Sequence, residues 1–152
     1  MDEKWKNDVG TLHGVVSRDF PNLFWPGPWQ AAASANFASV LDLLTTHVAH
    51  MVAEAEKYAA KTKPGARYSI EPSKEAEQNW SLQVMMRAAA FAGTSGCTPS
   101  YLNREGAIDR LPMEERMKFA KSAIWGEGIL SFTEVLEKWQ AEGKLEGLEV
   151  QC

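Results

Sequence analysis

Much that would assign this sequence to a compartment or a polymer partner is missing from it. Only two of its 152 residues are cysteines, Cys97 and the terminal Cys152. Two are too few for a disulfide framework and point to a reducing, cytoplasmic setting. No apolar run approaches the roughly 18 residues of a membrane span. The first ten residues, MDEKWKNDVG, are charged and lead into no apolar segment, so they do not read as a secretory signal. Basic residues are not in excess: 16 Lys and Arg stand against 20 Asp and Glu, for a net charge of −4. That balance argues against a nucleic acid or an anionic membrane as partner, since both reward clustered cations. Histidine is scarce, and there is no internal repeat or low-complexity tract.

What remains is the make-up of one globular domain. Apolar residues are 45% and charged residues 24% of the chain, both ordinary values. A chain of this length buries roughly 70% of the surface its unfolded form exposes. Six tryptophans are many for this size and imply an aromatic core or a broad apolar pocket.

The helical signals are the clearest. Phe37, Val40, Leu41, Leu44, Val48, Met51, Val52, Ala55 and Ala59 fall at i, i+3, i+4, i+7 spacing. Ser34 or Asn36 is the expected N-cap, and Pro64 with Gly65 the stop. A second helix is expected from Pro72, a favoured first-turn residue, to about Phe91. Residues 92–116 read as a long irregular stretch, a feature often tied to function. The run 131–134, SFTE, has the form of a capping box and predicts a third helix, with Phe132, Val135, Leu136 and Trp139 on one face and a stop at Gly143. Residues 11–16, 22–25, 119–125 and 145–150 are expected as short strands. The fold class is therefore mostly α with a few short strands.

Several constellations are candidates for chemistry. Gly126, Gly128 and Ser131 nearly form a dinucleotide-binding turn, but serine stands where the third glycine belongs, and a plain strand–turn–helix accounts for them. His47, His50 and Glu54 lie at i, i+3 and i+7 and could face one metal. No further ligand is in sight, so a packed or solvated pair is the better reading, and no metal site is assigned. His13 reads as structural. Cys97 has no His or Lys beside it to make it reactive. Glu114 and Glu115 read as a solvated helix face. No catalytic residue is assigned.

The stretch 20–37, FPNLFWPGPWQAAASANF, is different. It joins an apolar run, a double-proline break, a tract of small residues and a helix start. A helix N-terminus offers unpaired N–H groups and positive dipole density. The tract has no bulky side chain to keep a flat, electron-rich ligand away. Close packing against another element would also want alanines, and spacing alone leaves both readings open.

At this point the sequence resembles a known family. The stretch 20–37 and the helix after it look like the last FAD-domain strand and flavin-facing helix of Baeyer–Villiger monooxygenases, the class B flavoproteins that insert oxygen beside a ketone. EKWKNDVGTLHGVVSRDFPNLF resembles the segment before that helix. SGCTPSYLNREG is similar to a loop of relatives that act on large cyclic and polycyclic ketones. FTEVLEKWQAEGKLEGLEV resembles the family's C-terminal helix and closing strand. The four blocks in order are more specific than any one of them.

The resemblance implies roles residue by residue. Pro28, Asn36 and Phe37 would border the flavin. Trp29, Ala32, Ala33 and Ser34, with Gln30 and Ala31 between them, would border the ketone pocket. The loop 97–103 would lie near substrate and nicotinamide. FAD and NADPH are the implied cofactors, the latter only in a full-length context. The family's two GxGxxG motifs, its FxGxxxHxxxW signature and its active-site arginine have no counterpart here. The resemblance therefore implies the C-terminal quarter to third of a fold with two dinucleotide-binding domains. Residues 1–63 would be the tail of the FAD domain and 64–152 a C-terminal extension. Implied partners are a cyclic ketone, a complementary flavoprotein domain or a second copy of the chain. The alternative is a non-catalytic remnant that binds a ligand or a protein.

Overall fold

The computed structural model describes residues 3–6, 9–88, 98 and 105–152. Among the described residues, four α-helices surround a small core beside a two-stranded sheet: α1 (Phe37–Thr62), α2 (Lys74–Arg87), α3 (Met113–Lys121) and α4 (Gly128–Glu142), with β1 (Ser69–Pro72) and β2 (Leu148–Gln151). No described helix is long and apolar enough to cross a membrane.

The long helix α1 follows its apolar stripe. Val40, Leu44, His47, Met51, Ala55 and Ala59 form its buried face. Asn36 is the N-cap, its side chain accepting from the Ser39 N–H. Lys63 closes the helix by donating its N–H to the Ala59 carbonyl, and Pro64 and Gly65 follow in a turn.

The start of α2 differs from expectation. Pro72 is the last residue of β1, and Ser73 is the N-cap, accepting from the Ala76 N–H at 3.1 Å. A proline can serve either at a strand's end or in a helix's first turn. Here the serine, an acceptor for the orphan helix donors, decides where the turn begins. The strand β1 had no signal beyond four residues and was not expected. It pairs antiparallel with β2, which falls within 145–150 as expected and runs one residue further, in the register Ile70↔Val150.

The start of α4 is a second correction. The helix begins at Gly128, so Ser131 lies inside its first turn and caps nothing. Its hydroxyl instead accepts from Trp125 Nε1 at 3.2 Å and donates to Glu127 at 2.9 Å. The C-terminal stop at Gly143, in the left-handed region at φ 61°, is as expected. Residues 119–125, expected as a strand, form the last turn of α3 and the bend after it, so Gly126 and Gly128 follow a helix and not a strand. Residues 11–16 and 22–25 make only isolated bridges, Leu12 to Val16 and Val16 to Phe24, around a tight turn at His13 and Gly14. The expected loop 92–116 gives way to α3 at Met113. Phe91, Cys97 and residues 99–103 lie outside the described residues.

One core joins all of this. Leu12, Val15, Val16, Ala31 and Ala32 from the N-terminal stretch meet Val40, Leu44 and Met51 of α1. Trp80, Val84, Trp125, Phe132 and Leu136 complete it. Trp80 and Trp125 stack face to face, with centroids 4.9 Å apart, and the Arg87 guanidinium covers the Trp125 ring at 4.1 Å.

Candidate functional site

The residues singled out before α1 divide into two sets. Ala31 and Ala32 are buried and belong to the core. Pro28, Trp29, Ala33, Asn36 and Phe37 are exposed, and Ser34 is half-buried. Trp29 and Phe37 are about half exposed, 50% and 49%. Within the small-residue tract two alanines pack closely, as the packing reading expects, and the next residues open to the surface. Ala32 is 1% exposed, backbone included, and so offers a ligand no surface here.

The helix end itself has spare donors. An α-helix leaves its first few N–H groups without internal partners. The Asn36 N–H donates to Ser34 Oγ at 3.2 Å, and the Ser39 N–H to Asn36 Oδ1 at 3.3 Å. The N–H groups of Phe37 and Ala38 have no acceptor among the described residues. There is no acidic side chain in this first turn to occupy the positive end of the dipole. Those two N–H groups fit an electron-rich carbonyl edge such as a flavin's.

The approach to the helix is held by a residue whose place in the resemblance gave no hint of its importance. Gln30 is fully buried, with φ of 57°. Its Oε1 accepts from the Thr11 N–H and hydroxyl at 2.8 and 2.6 Å. Its Nε2 donates towards the Val9 carbonyl, Ser81 Oγ and the Lys121 carbonyl, at 3.0, 2.9 and 2.7 Å. Just upstream, Gly14 at φ +76° leaves no room for a side chain, because a Cβ there would lie 2.6 Å from that of Ala31. A lone glutamine carries no periodic signal, and only the polar neighbours brought together by folding reveal it.

His47 does not join His50 and Glu54. Its Nε2 lies 3.0 Å from His13 Nδ1, and Gln140 Nε2 donates to its Nδ1 at 2.9 Å. That donation sets the tautomer, so His47 Nε2–H donates to His13. Both imidazoles are buried. Burial, then the neighbouring His47, pushes His13 well below the usual value. Burial, then His50, lowers His47 to about 4. Glu54 pairs with Lys57 at 2.6 Å. Among the described residues no group of three His, Cys, Asp or Glu side chains is placed to hold a metal. An open cleft of about 530 Å³ lies beside His13, Trp80 and Trp139.

No family model matches the chain. Individual proteins do. It is 46% identical to the chermesin D/asnovolin J monooxidase nvfH of Aspergillus novofumigatus over 157 residues, 100% of this chain and 24% of the relative. It is also 46% identical to the FAD-binding monooxygenase prhK of Penicillium brasilianum, over 99% of this chain and 23% of that one. It superposes on the polycyclic ketone monooxygenase of Thermothelomyces thermophila with a TM-score of 0.85 and 34% identity, over 99% of this chain and 22% of the other.

The chain matches the C-terminal part of Baeyer–Villiger monooxygenases. It spans about a quarter of the length of the relatives it resembles. Its mostly helical fold with one small sheet is that of the same part of Baeyer–Villiger monooxygenase structures. The match, over 99% of the chain, takes in both the exposed end of α1 and the buried Gln30 network.

Proposed function

We propose that this chain forms the flavin-edge and ketone-edge portion of an FAD- and NADPH-dependent Baeyer–Villiger monooxygenase that converts bulky cyclic or polycyclic ketones to esters or lactones in secondary metabolism. The carrying observation is the superposition over 99% of the chain on a polycyclic ketone monooxygenase. When bound, the flavin supplies the oxygen-inserting redox chemistry, with the nicotinamide as hydride source. This chain's part is binding and shaping. The Phe37 and Ala38 N–H groups would face the electron-rich edge of the ring, with Asn36 fixing the helix end and Pro28 the turn before it. Trp29, Ala33 and Ser34 would border the ketone and exclude water from it, with Ala32 buried behind them as packing. The matching partners are a bulky cyclic ketone and the nucleotide-binding part of such an enzyme, or a second copy of this chain, in a cytoplasmic setting.

Titrating the purified chain with FAD, followed by flavin absorbance and fluorescence, tests the seat directly. Saturable binding with a shifted spectrum is expected. An unchanged flavin spectrum at high micromolar FAD would show that these residues do not form a seat by themselves.

A further inference from the structure

We propose that Gln30 is the positioning residue that sets the path of residues 29–34 in front of α1, and through it the edge offered to flavin and ketone. The link to flavin rests on the function proposed above. The positioning itself rests on the geometry alone.

Residues 28–35 have no helix or strand to hold them. Their ties to the rest of the described chain concentrate at Gln30 and its neighbour. The Gln30 N–H donates to the Ala123 carbonyl at 3.0 Å, the Gln30 carbonyl accepts from Trp80 Nε1 at 3.0 Å, and the Ala31 carbonyl accepts from the Trp125 N–H at 2.9 Å. The side chain adds the bonds to residues 9, 11, 81 and 121 described above. One residue therefore joins the N-terminal turn, α2 and the end of α3. The amide orientation follows from the partners: Oε1 faces two donors, and Nε2 faces two carbonyls and a hydroxyl whose own proton goes to the Glu77 carbonyl. Glutamate would keep the acceptor and lose every donor. A hydrophobe would remove all five of these contacts and take from the buried Thr11 N–H the acceptor it has here.

The backbone supports the same reading. A non-glycine residue at φ 57° is uncommon, and such conformers persist where surrounding contacts over-determine them. The strained residue sits immediately before the small-residue tract. With Ala31 and Ala32 buried and Ala33 exposed, a shift at Gln30 moves the whole exposed edge.

The test compares the wild-type chain with Gln30→Met and Thr11→Val by hydrogen exchange and mass spectrometry, alongside FAD titration. Gln30→Met should speed exchange across residues 29–34 and at 123–125 by about tenfold or more, while the centres of α1 and α4 keep their protection. Thr11→Val removes one donor to Oε1 and should produce the same local pattern more weakly. It keeps the test decisive if the methionine variant does not fold. In chains that bind FAD, the variants should raise the Kd and alter the flavin spectrum while the far-ultraviolet circular dichroism stays unchanged. Unchanged local exchange in both variants would overturn the proposal. So would a rise spread evenly over the molecule, or an unaltered flavin Kd and spectrum in a variant whose local exchange has risen. Absence of FAD binding by the wild-type chain would sink the flavin seat, and the exchange pattern would still decide the role of Gln30.

Discussion

His13 and His47 show how burial turns a weak local choice into a pH dependence. His13 accepts a left-handed backbone conformation at φ 55°, and its ring meets His47, Trp80 and Trp139 with centroids 5.0, 4.8 and 5.3 Å away. Both imidazoles are held neutral, since protonation of either would place a charge in that aromatic surround and break the donation from Gln140 or to His13. The folded pKa of each is below its unfolded value of about 6.5, so the unfolded chain takes up protons first. The stability they contribute is full above that pH. It is lost as pH falls towards about 4, where His47 protonates in the fold. Each unit of depression corresponds to about 1.4 kcal/mol. Calorimetry should therefore give a Tm that is level above about pH 7 and falls between pH 6.5 and 5. That interval lies above the ordinary carboxylate range of about 4. The fall should be clearly shallower in His47→Gln, and equal slopes in the two proteins would refute the assignment. The sequence left this pair unread because residues 13 and 47 meet only through folding. Along the helix His47 lines up only with His50 and Glu54, which suggests at most a packed or solvated pair.

Helix ends test how far local signals can be trusted. Both Asn36 and Ser131 carry the right side chain for an N-cap, yet only Asn36 bonds a helix N–H. Asn36→Ala should cost about 1 kcal/mol, the ordinary worth of a cap. Ser131→Ala should cost less than that in helix stability and act instead on Trp125 and Glu127, its actual partners. Urea unfolding of the two variants checks the difference, and a larger loss for Ser131→Ala than for Asn36→Ala would contradict the observed caps. The comparison also shows which elements were legible. The 26 residues of α1 repeat their apolar stripe through seven turns, so its period and both ends could be read from the sequence. β1 has four residues, one of them proline, and is a strand because β2 pairs with it and Asn22 clips its other side through Ile70. No local pattern could supply that. Residues 119–125 failed in the opposite sense: their apolar content serves the end of a helix and a buried tryptophan, and length alone could not separate the two.

For the molecule as a whole, the question is how one core holds both the expected FAD-domain tail and the extension after it. Residue 63, where the sequence suggests a division, lies in an exposed turn, while the core crosses it: Leu12 and Ala31 from one side, Trp80, Trp125 and Phe132 from the other. Trp125 carries most of that connection. Its N–H bonds the Ala31 carbonyl, its ring lies between Trp80 and the Arg87 guanidinium, and its Nε1 reaches Ser131. Only 1% of it is exposed. Trp125→Ala would open a cavity the neighbours cannot fill, at a cost of about 3–5 kcal/mol. That is a large share of the 5–15 kcal/mol that stabilises a typical domain. Trp125→Phe keeps most of the ring stack and gives up the indole bond to Ser131, at about 1–2 kcal/mol. Urea midpoints should therefore rank wild type, Trp125→Phe and Trp125→Ala in that order, with the largest step at alanine. Because the Ala31 carbonyl loses its well-placed donor when Trp125 shifts, exchange at residues 29–34 should quicken in the alanine variant and hardly change in the phenylalanine one. If both substitutions cost the same, the ring stack would not be what binds the two halves, and the edge before α1 would owe its position to Gln30 alone.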